Sequence, residues 1–222
     1  MSILLPSQSA DDWQRFLADP GKQWQRGYSA RTLAHSWHDA SGFPREVRAA
    51  LIEQFPDIEM LLGIPEHKVA MPGRGYASQT DLWVLASASG ELISIAVEGK
   101  VSEPFGPSID EWLDGASANK RARLESILSM LGCGQAIPGS IRYQLLHRAA
   151  SAVLEAKRFS ARHAVLLVHS FSRTSEWFDD FKAFGTLLGV DVCAGTLTPV
   201  SDCKGVKFSM GWVCGDENYL SR

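Results

Sequence analysis

Residues 81–100 read DLWVLASASGELISIAVEGK, two runs rich in strand-forming residues with Ser89-Gly90 between them. Glycine allows the positive φ angle that a tight turn needs, so this stretch predicts a β-hairpin. We expect its strands over residues 81–86 and 91–101. The hairpin decides the fold, because it fixes which polar side chains of its strands share a face.

The number of residues in the turn decides which polar side chains meet across the hairpin. Side chains two positions apart on a strand share a face, so Glu98 and Lys100 project together. A two-residue turn places Asp81 directly opposite Glu98, and a four-residue turn shifts the pairing but keeps Asp81 on the same face. A three-residue turn sends Asp81 to the other face. The cluster of two carboxylates and one ammonium group therefore depends on an even turn length.

Two carboxylates this close together destabilise a hairpin unless a cation joins them. Mg²⁺ or Mn²⁺ suits the position, because such an ion accepts one or two protein carboxylates and takes its other ligands from water and phosphate. We therefore predict Asp81 and Glu98 as metal ligands. Together with Lys100, which stabilises the nucleophile or the developing charge, they form the predicted catalytic set. The alternative is a structural salt bridge between Lys100 and a carboxylate, without a metal.

The remaining patterns predict helices before the hairpin and alternating helices and strands after it. Short helices are expected over residues 10–40, with a turn at Asp19-Pro20-Gly21, and Pro44 begins a third helix. Gly63-Ile64-Pro65 closes the helical section, and a short strand follows at 67–71. After the hairpin we expect helices over 119–131, 141–159 and 176–188, and strands over 164–169 and 206–213.

Asp81 at the start of one strand and Glu98-Gly99-Lys100 at the end of the next resemble the motif of the PD-(D/E)XK, or restriction-endonuclease-like, nuclease superfamily. The core of that superfamily is a helix, a three-stranded meander, a helix and a strand, and the predicted order from Pro44 to His169 is similar. The resemblance implies a two-layer α/β architecture. It also implies Mg²⁺-dependent cleavage of nucleic acid, with DNA favoured over RNA.

We expect an N-terminal helical extension over residues 1–42, packed on one nuclease-like α/β domain over residues 43–222. The stretches Gly27-Tyr28-Ser29-Ala30 and Glu103-Pro104-Phe105-Gly106 also resemble an uncharacterised bacterial branch of the superfamily, without adding an activity.

Four other residues are candidates for contacts with the substrate. Some superfamily members carry a glutamine on the helix after the motif, and Gln144 matches it, while Arg148 stands where a tyrosine often follows. Both are predicted substrate-binding residues on a polar helix face, and a solvated face is the alternative. Arg74 and Gln79, in and after a glycine-rich loop, could hold a phosphate or read a base, and a plain turn is the alternative.

Two further acids are candidates for the metal. Superfamily members often take a ligand from the helix before the sheet, which points to Glu53. Glu103, just beyond the motif strand, is an equal rival. An ordinary surface glutamate is the alternative for both.

Composition limits the remaining functions. The chain has 222 residues, 45% of them apolar, and a net charge of −3, which argues against coating nucleic acid by bulk electrostatics. No stretch approaches the roughly 18 apolar residues that a membrane span needs, so we expect a cytoplasmic protein without a membrane partner. The four cysteines predict reduced thiols in the core. A non-catalytic nuclease-like module that binds nucleic acid or a protein partner is the alternative function, and a homodimer stays open.

Overall fold

A mixed β-sheet forms the centre of the chain in the computed structural model, which describes residues 2–3, 7–134 and 136–222. Within these residues the seven strands are β1 (Ser2–Ile3), β2 (Glu59–Val69), β3 (Ser78–Ala88), β4 (Glu91–Lys100), β5 (His163–Ser170), β6 (Ser201–Cys203) and β7 (Val206–Cys214). They lie side by side in the order β1-β2-β3-β4-β5-β7-β6. β3 runs antiparallel to β2 and β4, whereas β4, β5 and β7 are parallel.

Helices precede the sheet and connect its strands. In the described residues they are α1 (Pro20–Gln23), α2 (Ser29–Asp39), α3 (Arg45–Ile52), α4 (Ile109–Leu113), α5 (Ala118–Met130), α6 (Tyr143–Arg158) and α7 (Phe178–Leu187), with 3₁₀ helices at Ala10–Phe16 and Glu217–Ser221. The order α3, β2 to β4, α6, β5 follows the predicted sequence of helix, three strands, helix and strand. The α/β class is therefore confirmed. No helix of the described residues is long and apolar enough to cross a membrane.

Helices cover both faces of the sheet, so the expected two-layer arrangement is wrong. The N-terminal helices and α3 bury one apolar cluster with the face that carries Ile93, Ile95 and Val97. α6 buries a second cluster with the opposite face, which carries Ala96 and Leu166. The central parallel strands are apolar on both sides, and each side needs a cover.

The turn of the hairpin has two residues, as the even-length prediction requires. Ala88 pairs with Glu91, and the turn residues Ser89 and Gly90 have φ angles of 50° and 79°. The Asp57 carboxylate accepts hydrogen bonds from the Ser89 backbone N–H (2.8 Å) and hydroxyl (3.0 Å). The pairing runs to Leu82 and Val97, so the next residues, Asp81 and Glu98, lie opposite each other.

The predicted end of the helical section at Gly63-Ile64-Pro65 is wrong, because β2 already begins at Glu59. A proline is tolerated in a strand whose edge is unpaired at that point. Among the described residues, β2 pairs with β1 only at Leu62 and Gly63, just before Pro65. The proline therefore lies within β2 and does not mark the start of the sheet.

Two smaller predictions also need correction. Asp19-Pro20-Gly21 is not a plain turn, because Pro20 begins α1 and the Asp19 carboxylate accepts a hydrogen bond from the Lys22 backbone N–H. Pro at the first helical position loses no intrahelical bond. The cysteines are free thiols, but Cys193 and Cys214 are exposed rather than in the core.

The N-terminal helices pack directly against the motif strand. A Cβ atom at Gly99 would lie 3.3 Å from side-chain atoms of Leu33 in α2. Trp13, Leu33 and Val97 belong to the same buried cluster. The glycine of Glu-Gly-Lys thus permits the close approach of α2 to β4.

Candidate active site

The predicted motif residues border a cleft of about 520 Å³ between α6, the sheet and the N-terminal helices, which we call the acidic cleft. β3 and β4 supply Asp81, Glu98 and Lys100, and the first turns of α6 supply Gln144 and Arg148. The structure thus brings the predicted catalytic set together with three predicted substrate-binding residues, since Gln79 on β3 also lines the cleft. The lining of the cleft also includes the polar side chains of Glu66, Gln79 and Glu103.

Glu98 is the centre of a buried polar network. Its Oε1 accepts hydrogen bonds from Lys100 Nζ (2.9 Å) and Gln144 Nε2 (2.6 Å), and its Oε2 accepts one from Arg148 Nε (2.5 Å). The side chains of Glu98, Lys100 and Arg148 are only 3%, 5% and 8% exposed. The carboxylate is therefore fully paired without any ligand from outside the chain.

Asp81 is held less tightly than Glu98. Its Oδ2 accepts a hydrogen bond from the Gly99 backbone N–H (2.9 Å), and its Oδ1 lies 3.9 Å from Arg148 Nη2. Its side chain is 20% exposed, the most open of the motif residues. The Arg148 guanidinium consequently stands between two carboxylates and joins them electrostatically.

Glu66 is a third acid that the sequence analysis missed. It lies on β2 between Pro65 and His67, which pair with Leu82 and Thr80, so it faces Asp81 across the ladder. Gln79 Nε2 donates a hydrogen bond to its Oε2 (2.7 Å). Only the pairing of β2 with β3 brings Glu66 to Asp81. The sequence analysis began this strand at residue 67, after Glu66, and therefore did not consider this acid.

The three acids differ in charge state because their partners differ. Burial raises the pKa of Asp81 to about 7, with a further rise from the neighbouring Glu98 charge. Burial also raises the pKa of Glu66, to about 8, and the Asp81 charge adds to it. Burial acts on Glu98 in the same direction, but Arg148 and Lys100 outweigh it and hold the pKa at about 2. Burial thus favours the neutral form of Asp81 and Glu66, although Arg148 lowers both pKa values in part.

The structure does not bring all predicted residues to the cleft. Glu53 is exposed at the end of α3 and is absent from the cleft lining. Arg74 is exposed in the loop before β3 and borders a different cavity. Glu53 is therefore a surface glutamate at a helix end, and Arg74 does not belong to the acidic cleft.

Glu103 reaches the cleft but is already occupied with backbone groups. Its carboxylate accepts hydrogen bonds from the N–H groups of Ser29 (2.9 Å), Val101 (3.0 Å) and Ser102 (3.1 Å). It ties the start of α2 to the end of β4. The geometry therefore gives Glu103 a positioning role next to Lys100.

The polar face of α6 is buried, so the alternative of a solvated face is wrong. Arg148, Ser151 and Glu155 are all less than a tenth exposed. Glu155 lies 3.3 Å from His67 on β2, as Arg148 lies against Glu98 on β4. The sheet face beneath α6 carries its own polar groups, and these pair with the helix.

The residues of the cleft fit a divalent cation through two carboxylates rather than through a larger cluster. In the described part of the chain, no three His, Cys, Asp or Glu side chains come close enough together to hold a metal ion. Mg²⁺ commonly binds only one or two carboxylates and takes water or phosphate for the rest. Asp81 and Glu66 fit this requirement, because burial and then a neighbouring carboxylate charge raise their pKa values, and a bound cation would offset both effects.

Comparison with known proteins gives a family but no activity. No curated protein and no solved structure matches the chain. A family model described as a domain of unknown function, DUF6946, matches residues 6–217, nearly the whole sequence. The chain therefore belongs to the DUF6946 family.

Proposed function

We propose that the chain is a Mg²⁺- or Mn²⁺-dependent nuclease that hydrolyses phosphodiester bonds of DNA. The observation that carries the proposal is the row of Glu66, Asp81 and Glu98 across three neighbouring strands, with Lys100 beside Glu98 in one open cleft. The order of helix, three strands, helix and strand also agrees with the core of the PD-(D/E)XK superfamily. RNA is the alternative substrate.

Asp81 and Glu66 are the carboxylates that are open to a metal ion. When bound there, the ion polarises the phosphodiester and makes a bound water more acidic. Glu98 is the other predicted ligand. It can bind the ion through Oε2 once this oxygen no longer accepts the hydrogen bond from Arg148 Nε. Until then Glu98 positions Lys100 and Arg148 through hydrogen bonds.

Lys100 supplies the positive charge for the reacting phosphate. Its ammonium group lies 2.9 Å from Glu98 Oε1 and 3.3 Å from Gln144 Oε1, and both contacts fix its position. It lies 4.8 Å from the centre of the Phe105 ring, which shields it from water on that side. A fixed charge in such a site stabilises the developing negative charge better than a solvated one.

The test is cleavage of plasmid, linear and single-stranded DNA, and of RNA, by the full chain with and without Mg²⁺ or Mn²⁺. We expect metal-dependent cleavage that falls at least about 100-fold in Asp81→Asn and in Lys100→Ala. Glu53→Gln, an exposed acid outside the cleft, is the matched control and should cleave as the unchanged chain does. Cleavage that survives both active-site substitutions contradicts the proposal.

A second candidate is a non-catalytic nuclease-like module that binds nucleic acid. Arg148 favours it, because this guanidinium already occupies the space between Asp81 and Glu98 where a cation is needed. Binding of DNA without cleavage, and without a rise in melting temperature on adding Mn²⁺, identifies this candidate. In that case Arg148→Met weakens DNA binding, whereas Asp81→Asn does not.

A further inference from the structure

A second cavity of about 510 Å³ lies on the other side of Ser78 and His147, between the loop before β3, α5 and the start of α6. We call it the Arg123 cavity. No acidic side chain lines it in the described part of the chain. The side chains that matter for its chemistry are three cations and three aromatics, namely Arg74, Lys120, Arg123, Tyr76, Trp112 and Tyr143.

Arg123 is a buried cation with donors left over. It is 8% exposed, and its Nη1 donates a hydrogen bond to the Tyr76 carbonyl oxygen (2.8 Å). Its Nε and Nη2 have no hydrogen-bond partner among the described residues. A buried guanidinium with unpaired donors costs free energy unless an anion pairs with it. Among the described residues that line the cavity, none supplies such an anion.

The Tyr143 hydroxyl lies beside this guanidinium and also lacks a partner of normal hydrogen-bond geometry in the described residues. Burial raises its pKa, and the neighbouring Arg123 opposes that rise. The hydroxyl therefore stays protonated at neutral pH and can donate. Arg123 and Tyr143 together offer three donors, which suits the several acceptor oxygens of a phosphate.

Aromatic rings lie next to these donors. Trp112 stacks on Tyr143 with ring centres 3.9 Å apart, and Lys120 Nζ lies 5.0 Å from the Trp112 ring centre. Tyr76, at 94% exposure, stands at the rim with its ring free for contact. A planar base can pack on such a ring, and the lysine adds positive charge near the phosphate.

We infer that the Arg123 cavity binds a nucleotide through its phosphate, with Arg123 and Tyr143 as donors, Lys120 and Arg74 as further cations and Tyr76 against the base. The nucleotide can be free or can be the 5′-phosphorylated end of a single strand. Neither source depends on the proposed nuclease activity, because the cavity holds none of the three acids. Ser78 connects this site with the acidic cleft. It lines the cavity, and its Oγ accepts a hydrogen bond from Arg148 Nη1 (2.9 Å) of the acidic cleft.

The test is titration calorimetry of the metal-free full chain with inorganic phosphate, dAMP, and oligo(dT) with and without a 5′-phosphate. We expect dAMP to bind at least tenfold more tightly than inorganic phosphate. Arg123→Gln should weaken dAMP binding by about 10- to 100-fold, as for loss of a hydrogen bond to a charged group. Tyr143→Phe should weaken it by about fivefold. Arg121→Gln, an exposed neighbour on α5 that does not line the cavity, is the matched control.

The oligonucleotides distinguish the two sources. A 5′-phosphorylated strand that binds tenfold more tightly than dAMP identifies a strand end, and equal affinity identifies a free nucleotide.

Four results overturn the inference. They are unchanged affinity in folded Arg123→Gln, inorganic phosphate binding as tightly as dAMP, absence of dAMP binding, and loss of binding in Asp81→Asn instead of Arg123→Gln. Melting curves establish folding, and Tyr143→Phe decides the question if Arg123→Gln is unfolded. Because the assay uses neither metal nor cleavage, its outcome is independent of whether the nuclease proposal holds.

Discussion

The acidic cleft and the Arg123 cavity lie on either side of Ser78 and carry opposite charge imbalances. In the acidic cleft, Arg148 and Lys100 form hydrogen bonds with Glu98, and burial together with neighbouring carboxylate charge raises the pKa values of Asp81 and Glu66. In the Arg123 cavity, cations meet without an acid. The acidic cleft thus favours a cation and the Arg123 cavity an anion, although both sites have residues of α6 and of the start of β3 in their walls.

The largest expected effect comes from removing Glu98, which accepts hydrogen bonds from both Arg148 and Lys100 in the acidic cleft. Glu98→Ala leaves Arg148 and Lys100 buried without their carboxylate, so we expect a loss of about 3–5 kcal/mol in the free energy of unfolding. Chemical denaturation measures it. Glu91→Ala, which removes a partner of Arg162 at the surface, should leave the denaturation midpoint almost unchanged. A loss below about 1 kcal/mol for Glu98→Ala would show that the network is not a stabilising unit.

The next effect concerns the surplus acids and appears as a dependence of stability on pH. The pKa of Glu66 is raised from 4.5 to about 8, and that of Asp81 from 3.8 to about 7. The metal-free folded chain therefore holds more protons than the unfolded chain as pH rises through this range, so its stability falls. His147, whose pKa burial lowers from 6.5 to about 3, acts in the opposite direction up to about pH 6.5. Burial also lowers the pKa values of His35 and His169, so the histidines still oppose the acids in the lower part of the window from pH 6.5 to 8, and the comparison with Glu66→Gln separates the two effects.

Urea unfolding of the metal-free chain at several pH values within that window provides the measurement. We expect the free energy of unfolding to fall by at most about 1.4 kcal/mol per pH unit for each titrating acid. Glu66→Gln should flatten the slope, and Glu53→Gln should not. A stability that rises from pH 6.5 to 8 would mean that these acids are already charged in the folded chain.

The smallest expected effect concerns the Arg123 cavity. Arg123→Met removes a buried charge whose Nη1 donates a hydrogen bond to the Tyr76 carbonyl oxygen and whose Nε and Nη2 have no hydrogen-bond partner among the described residues, so the free energy of unfolding should change by less than about 1 kcal/mol. The same substitution at Arg148 should cost about 3–5 kcal/mol, because it leaves Glu98 buried with one cation fewer. Thermal and urea unfolding of the two variants compare them directly. Equal losses would remove the distinction between the two sites.

The sequence predicted the parts of the fold that depend on local signals. Ser89-Gly90 predicted the position of the turn and left the register conditional on an even turn length, which the two-residue turn fulfils, and Ser108 and Glu111 form a capping box at the start of α4. These features depend on residues within a few positions of each other, where turn and capping chemistry is decisive. The even length of the turn places Asp81 and Glu98 on the same face of the hairpin.

Features that depend on distant pairing were missed. Pro65 concealed β2, because its neighbour on that side of the sheet, β1, lies 60 positions earlier in the chain, as the pair of Ser2 with Leu62 shows. Glu66 lies in this part of β2 and was therefore not considered as a site residue. The burial of Arg148 was also unpredictable, because a helix pattern does not reveal that the sheet beneath it carries acids.

The two-residue turn has a consequence for changes in chain length. Ser89 is held by Asp57 from a separate segment, so its position is fixed from outside the hairpin as well as within it. A single inserted residue here rotates Asp81 into the apolar layer under α2, while two inserted residues restore it to the layer under α6. Insertions and deletions at this point are therefore compatible with the acidic cleft only in pairs, unless a bulge elsewhere in β3 or β4 compensates.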